Sequence, residues 1–422
     1  MYPSEPGART GTPSPEEIRQ FYERNPYPAP FTTLDEHREL YRNAERRRAH
    51  FHLLWPDRPY EEGGKTLVAG CGTSQAARYA LSEPKSLVTG IDISRTSLKY
   101  TDDLKRKYRL ENLELRQLSV ESVAELGQTF DHIVCTGVLH HLPDPDAGLR
   151  ALHDALHPQG ALHLMVYAPY GRAGIYMMQQ YCRLLGINSS HADLRDLAST
   201  LAALPSDHPI AGVMQNAKDF RSPDALADAL LHPLDRAYTV PQLYAWLERC
   251  GISFGRWVQQ APYLPECGLA GATPHLTRLM HLPRPAQHVA IELLRGTMTR
   301  HNLIAYRDDR VGGSQPITFV GERCMTYVPI RLPWTACIRE RLPRGSAAVL
   351  INRAHPFSDL ALPIDAFEDR LFGSIDGTRS VAEILSGAEV GEGSRAQALG
   401  FFERLWLYDQ VVFDASRPPI PR

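Results

Sequence analysis

Two glycines and a later aspartate are the residues whose types and spacing most clearly indicate a binding chemistry. Gly70 and Gly72 follow the β-type run 66–69 and precede a helical pattern that starts at Gln75. Glycines at such a turn let the backbone approach a ligand closely, with the amides of the helix start facing it. Asp92 ends a second β-type run 20 residues after Gly72, where a carboxylate accepts the hydroxyls of a nucleotide ribose. The pattern predicts a nucleoside-containing ligand; an ordinary surface aspartate is the alternative.

The glycine turn differs from that of dinucleotide-binding proteins. It reads Gly70-Cys71-Gly72-Thr73-Ser74, without the third glycine of the dinucleotide pattern, so NAD is not the expected ligand. Two later segments follow in order: 130–145 has the composition of a strand with its following loop, and 156–162 that of a turn into the next strand. Together the three motifs resemble the class I S-adenosylmethionine-dependent methyltransferases over about residues 60–170.

Two segments outside these motifs extend the resemblance within the family. Asn25-Pro26-Tyr27-Pro28, near the N-terminus, and Arg236-Ala237-Tyr238-Thr239-Val240 are similar to a bacterial group of these enzymes that also occurs fused to tetratricopeptide repeats.

The resemblance implies S-adenosylmethionine as the cofactor. It implies that Gly70 and Gly72 line the methionine and sugar part, that Asp92 binds the ribose hydroxyls, and that Ile93 packs on the adenine. The family often has acidic residues where this chain has Ala69 and Ser119, and a neutral serine hydroxyl is a weaker acceptor. The residues predicted to bind the cofactor are Ala69, Gly70, Cys71, Gly72, Gln75, Asp92, Ile93, Ser119, Val120 and Thr136.

Candidates for acid–base catalysis lie just after two predicted strands. Methyl transfer mainly requires alignment of the acceptor and exclusion of water, and an O–H or N–H acceptor also benefits from a general base. The candidates at the strand ends are His140, His141 and Tyr167, with Tyr170 just beyond. His140, His141 and Tyr170 are the predicted catalytic residues, and a structural role in the helix-entry loop is the alternative for the histidine pair. Tyr22 and Tyr27 could cover a sulfonium cofactor with their aromatic faces, with ordinary packing as the alternative.

Cysteine usage argues against a metal or disulfide framework. The seven cysteines are scattered without a Cys-x-x-Cys pair, and no metal site is predicted. Cys71 and Cys135 lie beside the predicted pocket, but no sequence neighbour would lower the pKa of either thiol. We therefore expect both to be small packing residues rather than nucleophiles.

The elements that must position these residues alternate between β-type and helical patterns, which predicts a parallel sheet covered on both faces. The predicted strands are Thr66–Ala69, Ser86–Asp92, Leu113–Leu118, His132–Cys135 and Ala161–Val166, with two further runs, Ile252–Gln259 and His301–Tyr306, that could add antiparallel strands. The predicted helices are a short one after Ser14, one from about Glu36 to Leu54, then Gln75–Leu81, Arg95–Tyr108, Asp144–Leu156 and Val240–Cys250.

The length of 422 residues and the position of these patterns predict three domains. They are an N-terminal helical lid over 1–60, a methyltransferase domain over 61–310 with a helical insertion over about 170–240, and a C-terminal accessory domain over 311–422. Arg307–Ser314 is the expected linker. The predicted fold is α/β: a Rossmann-like class I methyltransferase core with a helical cap insertion and a small α+β C-terminal domain.

The C-terminal domain carries its own resemblance. The segments 371–385 and 401–412 are similar to winged-helix and PqqD-like peptide-carrying domains, which implies peptide binding, while bracing of the enzyme or homodimer formation are the alternatives. Strands are expected at Ile317–Val320 and Ala347–Ile351. Helices are expected at Ile364–Leu371, Val381–Leu385 and Arg395–Trp406.

Charge and hydropathy exclude several classes of partner. With 46 basic and 48 acidic residues the net charge is −2, so nucleic acid is an unexpected partner. No apolar stretch reaches the roughly 18 residues of a membrane span, and the N-terminus lacks a secretory pattern. We expect a cytoplasmic methyltransferase acting on a small molecule or a peptide. A cofactor-binding scaffold or recognition module without methyl transfer, and non-methyl chemistry with the same cofactor, stay open as alternatives.

Overall fold

The structure, a computed structural model, describes residues 13–216, 220, 222–310 and 316–418. The chain divides into two compact units. The first unit contains residues 13–38, Gly63–Phe254 and Arg295–Arg310, and the second contains Glu39–Glu62, Gly255–Leu294 and 316–418. Residues 39–62, which the sequence analysis grouped with the N-terminal lid, therefore belong to the second unit.

A seven-stranded sheet forms the centre of the first unit. Its strands are β1 Lys65–Ala69, β2 Leu87–Asp92, β3 Leu113–Gln117, β4 Phe130–Thr136, β5 Leu156–Tyr167, β6 Ile252–Trp257 and β7 Arg300–Arg307. They lie in the order β3-β2-β1-β4-β5-β7-β6. Strands β1 to β5 are parallel and β7 is antiparallel to β5, as the sequence predicted for the second half of the sheet. The strand order reverses between β1 and β4, which opens a crevice at their carboxyl ends.

Helices precede and connect these strands along the chain. Those that precede β6 are α1 Pro15–Arg24, α2 Asp35–Arg42, α3 Ala44–Leu54, α4 Gln75–Ser82, α5 Arg95–Tyr108, α6 Pro145–Ala155, α7 Ala173–Leu185, α8 His191–Ala202, α9 Ala211–Asn216, α10 Pro223–Leu231 and α11 Val240–Arg249. Helix α1 begins with the predicted capping box, in which Ser14 and Glu17 bond each other's backbone amides. Helix α4 packs through Ala76, Ala77 and Ala80, small residues that suit a close approach to the sheet.

Helices α7 to α10 occupy the segment inserted between β5 and α11. Ile175, Met178, Leu194, Leu197 and Leu226 form the centre of a separate apolar cluster in this segment. These residues recur at helical spacing on one face of each helix, so burying them holds the inserted helices together without the sheet. We refer to residues 173–231 as the inserted segment.

The second unit has two small sheets of its own. Its later elements are α12 Leu276–Met280, α13 Arg284–Arg295, β8 Val328–Arg331, β9 Thr335–Ile338, β10 Ala348–Asn352, β11 Leu362–Ile364, α14 Ala366–Gly373, α15 Val381–Gly387, α16 Glu392–Leu407 and β12 Val411–Asp414. Strands β11, β10 and β9 form one sheet, and β12 pairs antiparallel with β8. Within this unit Ala49 of α3 packs on Val328, Ile330 and Val412.

Three sequence predictions about secondary structure are corrected. The helix expected from Glu36 to Leu54 is two helices, because Asn43 adopts an extended conformation and caps α3 by accepting the Glu45 amide proton. Ile317–Val320 is not a strand. Strands β8, β9, β11 and β12 were not predicted, since runs of three or four residues carry little periodicity. The expected linker Arg307–Ser314 lies partly outside the described residues.

Among the described residues, the structure contains no helix with both the length and the apolar character that a bilayer span requires.

Candidate active site

A cavity of about 480 Å³ opens in the first unit at the carboxyl ends of the parallel strands. Its walls come from the segments at and after the ends of β1, β2, β3, β4 and β5, from the N-terminal segment, from the inserted segment and from the start of β7. This is the place where open α/β sheets bind ligands, because the loops on either side of the strand-order reversal diverge there. Residues from eight separate parts of the chain therefore meet in one pocket.

The glycine turn after β1 forms one wall. Gly70 and Gly72 have φ values of 68° and 54°, in the left-handed region that glycine adopts without strain. A Cβ atom on Gly72 would lie 2.8 Å from the backbone oxygen of Tyr27, and one on Gly70 would lie 2.3 Å from Val138 Cγ2. Neither position has room for a side chain, so both glycines are required by conformation and by space.

Asp92, at the end of β2, faces the same turn. Its Oδ2 accepts the Gly72 amide proton at 2.8 Å, and its Oδ1 accepts the Ser94 amide proton at 2.8 Å. Burial raises the pKa of the Asp92 carboxyl to about 6, against the opposing effect of these two amides. Each carboxylate oxygen keeps a further lone pair, so Asp92 can still accept hydroxyl protons from a ligand.

The N-terminal segment covers the glycine turn. The Thr73 hydroxyl donates to the Pro28 carbonyl at 2.8 Å, and Glu23 accepts the amide protons of Arg95 and Thr96 at the start of α5. Tyr22, Tyr27 and Pro28 consequently line the cavity. Both tyrosines line the cavity, as a covering role requires. That they cover a sulfonium cofactor stays a prediction.

His141 contributes the wall that follows β4. Its Nδ1 lies 2.7 Å from the Leu234 carbonyl oxygen, which can only accept, so Nδ1 carries the proton and Nε2 has a free lone pair. Burial lowers the pKa of His141, which keeps the ring neutral. The ring packs 3.9 Å, centroid to centroid, from His232 of the segment that follows α10. A neutral, fixed imidazole in a cavity wall is suited to accept a proton.

His140 has a different environment from its neighbour. It is fully buried, it does not line the cavity, and neither ring nitrogen has a hydrogen-bond partner among the described residues. Its ring packs 4.0 Å from the Tyr167 ring, and burial lowers its pKa well below the ordinary value. His140 thus supports Tyr167 from behind, whereas His141 faces the cavity.

A buried ion pair lies next to this wall. Arg172 Nη2 is 2.9 Å from Asp235 Oδ2, which also accepts a hydrogen bond from Gln179 at 2.8 Å. The Arg172 guanidinium carbon lies 3.4 Å from the centre of the Tyr167 ring. Sequence reasoning missed Arg172 and Asp235, which are far apart in the chain; the available signal was a charged residue shortly after the end of β5.

The structure gathers most of the sequence-predicted site residues and leaves four outside. Those that line the cavity are Gly70, Cys71, Gly72, Gln75, Asp92, Ile93, Val120, Thr136 and His141. Those that do not are Ala69, Ser119, His140 and Tyr170. Ala69 is fully buried at the end of β1, and Ser119 precedes the turn at Val120 without lining the cavity. Tyr170 is 41% exposed, whereas Tyr167, the other tyrosine considered as a base, lines the cavity.

The two cysteines near the site match the expected packing role. Cys71 and Cys135 are buried, and burial raises the pKa of both thiols. A thiol with a raised pKa is protonated at neutral pH and is a poor nucleophile.

Comparison with known proteins shows which fold has this geometry. Residues 67–162 match a family model described as a methyltransferase domain. The solved structure of PKMT2 from Rickettsia typhi superposes with a TM-score of 0.61 at 15% identity, over 93% of this chain and 77% of that one. The fold is that of a class I methyltransferase. The structure of PKMT2 in complex with AdoHcy has the same likeness, with a TM-score of 0.60 at 14% identity over 89% of this chain and 76% of that one.

Curated relatives match this chain over part of their length. An uncharacterized protein of Synechococcus is 33% identical over 242 residues, which are 54% of this chain and 57% of that protein. The ubiquinone biosynthesis O-methyltransferase of Pseudomonas paraeruginosa is 32% identical over 115 residues, 26% of this chain and 47% of that protein. The chain therefore spans about half the length of the curated relatives it matches.

Proposed function

We propose that this chain transfers a methyl group from S-adenosylmethionine to an O–H or N–H group of a small-molecule or peptide acceptor. The observation that carries the proposal is the convergence of Gly70, Gly72, Asp92 and His141 on one cavity of a class I methyltransferase fold. The methyltransferase domain matched over 67–162 and the O-methyltransferase name of a relative support it.

The cavity passes a test of fit for this cofactor. Gly70 and Gly72 line the cavity without side chains, and Cβ atoms there would collide with Val138 and with the Tyr27 backbone. A ligand in this part of the cavity can therefore approach the backbone of the turn closely. Asp92 keeps lone pairs for a ribose diol, and Ile93 offers an apolar face next to it. We assign the sugar and methionine part to the glycine turn, the ribose to Asp92 and the adenine to the surroundings of Ile93 and Val120. When bound, S-adenosylmethionine supplies an electrophilic methyl carbon on a sulfonium sulfur.

The protein's own contribution is to position the acceptor and to exclude water. Tyr22, Tyr27 and Tyr167 surround the cavity with aromatic surface, which is a favourable neighbour for a cation and displaces solvent. The N-terminal segment is held on the glycine turn by the bond from Thr73 to the Pro28 carbonyl. The packing of these walls around an acceptor would hold its nucleophilic atom in line with the methyl carbon.

We assign the role of general base to His141. Its Nδ1 proton is committed to the Leu234 carbonyl, so Nε2 is the atom that receives the acceptor's proton. The buried ring is neutral before the step, and proximity to Asp235 favours the imidazolium that forms. Tyr170 and His140 have no comparable access, since neither lines the cavity.

Product analysis tests the proposal. The purified chain is incubated with S-adenosylmethionine and a panel of amines, phenols and peptides, and both the cofactor product and the acceptor masses are measured. Methyl transfer yields S-adenosylhomocysteine together with an acceptor that gains one methyl group. Carboxyl or aminopropyl transfer would leave a different cofactor product. Binding without any product across the panel would favour the scaffold alternative.

Further assignments that rest on the sequence are proposals of the same kind. They are membership of the bacterial group with the Asn25-Pro26-Tyr27-Pro28 segment, a PqqD-like or winged-helix character for the C-terminal part, a homodimer and a cytoplasmic location. The three domain boundaries and the predicted site residues are also kept as proposals. Deletion of residues 311–422 tests the accessory role: if the remainder stays folded and fully active on its acceptor, the C-terminal part takes no part in recognition.

A further inference from the structure

Arg172 is a buried cation in the wall of the cavity, and the proposed chemistry does not use it. It follows β5 in a single helical turn, Tyr170–Arg172, and its exposed fraction is 6%. An arginine is seldom buried to this extent unless its charge has partners. The hydrogen-bond donors of Arg172 that have no protein partner indicate which kind of ligand group the cavity can bind next to it.

The hydrogen bonds of Arg172 leave part of its guanidinium unused. Nε donates to the Tyr176 hydroxyl at 3.2 Å, and Nη2 donates to Asp235 Oδ2 at 2.9 Å. A guanidinium has five N–H donors, and these two bonds use only one donor of Nε and one of Nη2. The Nη1 group has no hydrogen-bond partner within the described part of the chain. Nη1 is not sealed from solvent either, since the residue lines the cavity.

The guanidinium is also held in a fixed orientation. Its central carbon lies 3.4 Å from the centre of the Tyr167 ring. Asp235 Oδ2, which accepts the hydrogen bond from Arg172, also accepts one from Gln179. Such a clamped, planar fork loses little conformational freedom when it binds a second anion. Asp235 therefore positions Arg172 without occupying all of its donors.

We propose that Arg172 binds a carboxylate group of the methyl acceptor, through the donors that Asp235 and Tyr176 leave free. The inference rests on the proposed function and names the substrate class: an acceptor with an anionic carboxylate a few bonds from its O–H or N–H. Arginine can bind a ligand carboxylate through two parallel hydrogen bonds that are strengthened by the opposite charges. A neutral amide group in the ligand lacks this charge assistance.

The position of Arg172 in the fold favours the acceptor as the source of that carboxylate. The glycine turn and Asp92 follow β1 and β2, whereas Arg172 follows β5, on the other side of β4. Arg172 and His141 both flank the Tyr167 ring, with the His141 and Tyr167 centroids 5.6 Å apart. A carboxylate on Arg172 would therefore hold its molecule next to the proposed base.

The other charges of the cavity are compatible with one bound anion. Arg78 and Arg300 line it from exposed positions, and Asp92 and Asp228 are its carboxylates. Asp92 belongs to the cofactor wall, and Asp228 accepts a hydrogen bond from the Tyr22 hydroxyl at 3.4 Å. Arg172 is the one buried cation among the described residues that line the cavity.

Paired probes test the inference on the full chain saturated with S-adenosylhomocysteine. Benzoate and its neutral counterpart benzamide are titrated by calorimetry, since both fit an aromatic wall and only one is an anion. Removing Arg172 alone leaves Asp235 unpaired, so the main variant is Arg172→Gln with Asp235→Asn. Arg172→Lys keeps the charge without the fork, and Arg183→Gln changes an exposed arginine of α7 as the matched control.

We expect the wild type to bind benzoate about tenfold or more tightly than benzamide, in line with a charge-assisted bond. The double variant loses that preference, Arg172→Lys keeps part of it, and Arg183→Gln keeps all of it. Equal binding of the two probes by the wild type, or an unchanged preference in the folded double variant, would overturn the inference.

A second arm separates the two sources of a carboxylate. S-adenosylhomocysteine carries a carboxylate and 5′-methylthioadenosine does not, so the variants are titrated with both. We expect both affinities to stay near the wild-type values. A loss confined to S-adenosylhomocysteine would assign Arg172 to the cofactor and overturn the acceptor assignment. Failure of the wild type to bind S-adenosylhomocysteine at all would count against the proposed function itself.

Discussion

The two walls of the cavity are built in different ways. The cofactor wall, formed by Gly70, Gly72 and Asp92, comes from one stretch of the chain and works through backbone amides and a single carboxylate. The acceptor wall, formed by His141, Tyr167 and Arg172, is held by contacts to Leu234 and Asp235, which lie far along the chain. The cofactor wall is a local motif, and the acceptor wall exists only in the folded protein.

The difference teaches where stability and function depend on each other. In the cofactor wall, cofactor binding depends on the absence of side chains and on the backbone conformation of the glycine turn. Substitutions there should therefore change cofactor affinity more than the stability of the fold. In the acceptor wall, a buried ion pair and a histidine with a fixed proton serve both, so substitutions there change folding or turnover.

The largest expected effect is on folding, at the ion pair of the acceptor wall. Arg172→Gln leaves Asp235 buried and unpaired, which lowers the free energy of unfolding by about 3–5 kcal/mol. The matched control is Arg249→Gln, which breaks the exposed pair with Asp146 and costs less than about 1 kcal/mol. Urea unfolding of both variants measures the contrast. Equal losses in the two variants would mean that Arg172 is not structurally distinctive.

The next effect concerns turnover and separates the two histidines. His141→Asn removes the proposed base, so kcat should fall by about 10²–10⁴-fold while affinity for S-adenosylhomocysteine stays unchanged. His140→Asn, behind the cavity wall, should retain most of the turnover once folding is verified. The assay uses an acceptor identified by product analysis. If both variants keep wild-type turnover, no histidine of the pair acts as the base.

The cofactor wall responds to the loss of space. Gly72→Ala places a methyl group 2.8 Å from the Tyr27 carbonyl oxygen and should weaken S-adenosylhomocysteine binding about tenfold or more. Gly127→Ala is the control, since Gly127 also has positive φ but no atom within 4 Å of the added Cβ. Both variants share a strain of about 1–2 kcal/mol. Equal affinities in the two would show that the close approach at Gly72 does not shape the site.

The smallest effect is a pH dependence that belongs to the cofactor wall. The pKa of Asp92 is raised to about 6, so the carboxyl becomes protonated as the pH falls through that value and loses acceptor capacity. Affinity for S-adenosylhomocysteine should fall a few-fold below this pH in the wild type. Burial also lowers the pKa of His141, and the comparison with Asp92→Ala separates the contribution of Asp92 from that of this ring.

The same shift has the opposite sign for stability. Because the folded-state pKa of Asp92 lies above the unfolded value of 3.8, the folded ligand-free protein binds this proton more tightly than the unfolded chain. Asp92 therefore adds stability at pH values below the unfolded pKa, and that contribution is lost as the pH rises through about 6. Calorimetry and unfolding, each compared with Asp92→Ala, measure both slopes. A flat binding profile in the wild type would contradict the role of the ionised carboxylate.

The fold and the cofactor wall could be predicted from sequence because their signals are local. The glycine turn, Asp92 and the alternation of strands and helices each lie within a few residues, and the structure contains all of them. Helix α5 has the predicted bounds, Arg95–Tyr108, since Ser94 caps its start. His141 was predicted together with His140 and Tyr170, and only the structure distinguishes their exposure to the cavity.

Arg172 and the contacts that hold the acceptor wall could not be predicted, because their partners come together only through tertiary structure. No spacing rule connects Arg172 with Asp235, or His141 with the Leu234 carbonyl, which lie on either side of the inserted segment. The short strands of the second unit were missed for a related reason. Edge pairs such as β8 with β12 are specified by long-range contacts rather than by their own periodicity.

Calorimetric titration with S-adenosylhomocysteine tests the central claim most directly. We predict micromolar binding by the wild type, about −8 kcal/mol, with collapse of that affinity in Asp92→Ala. Asp103→Ala, on the exposed face of α5, is the control and should bind as the wild type does. A folded wild type that binds no S-adenosylhomocysteine, or an Asp92→Ala variant that binds it equally well, would contradict the assignment of this cavity to the cofactor.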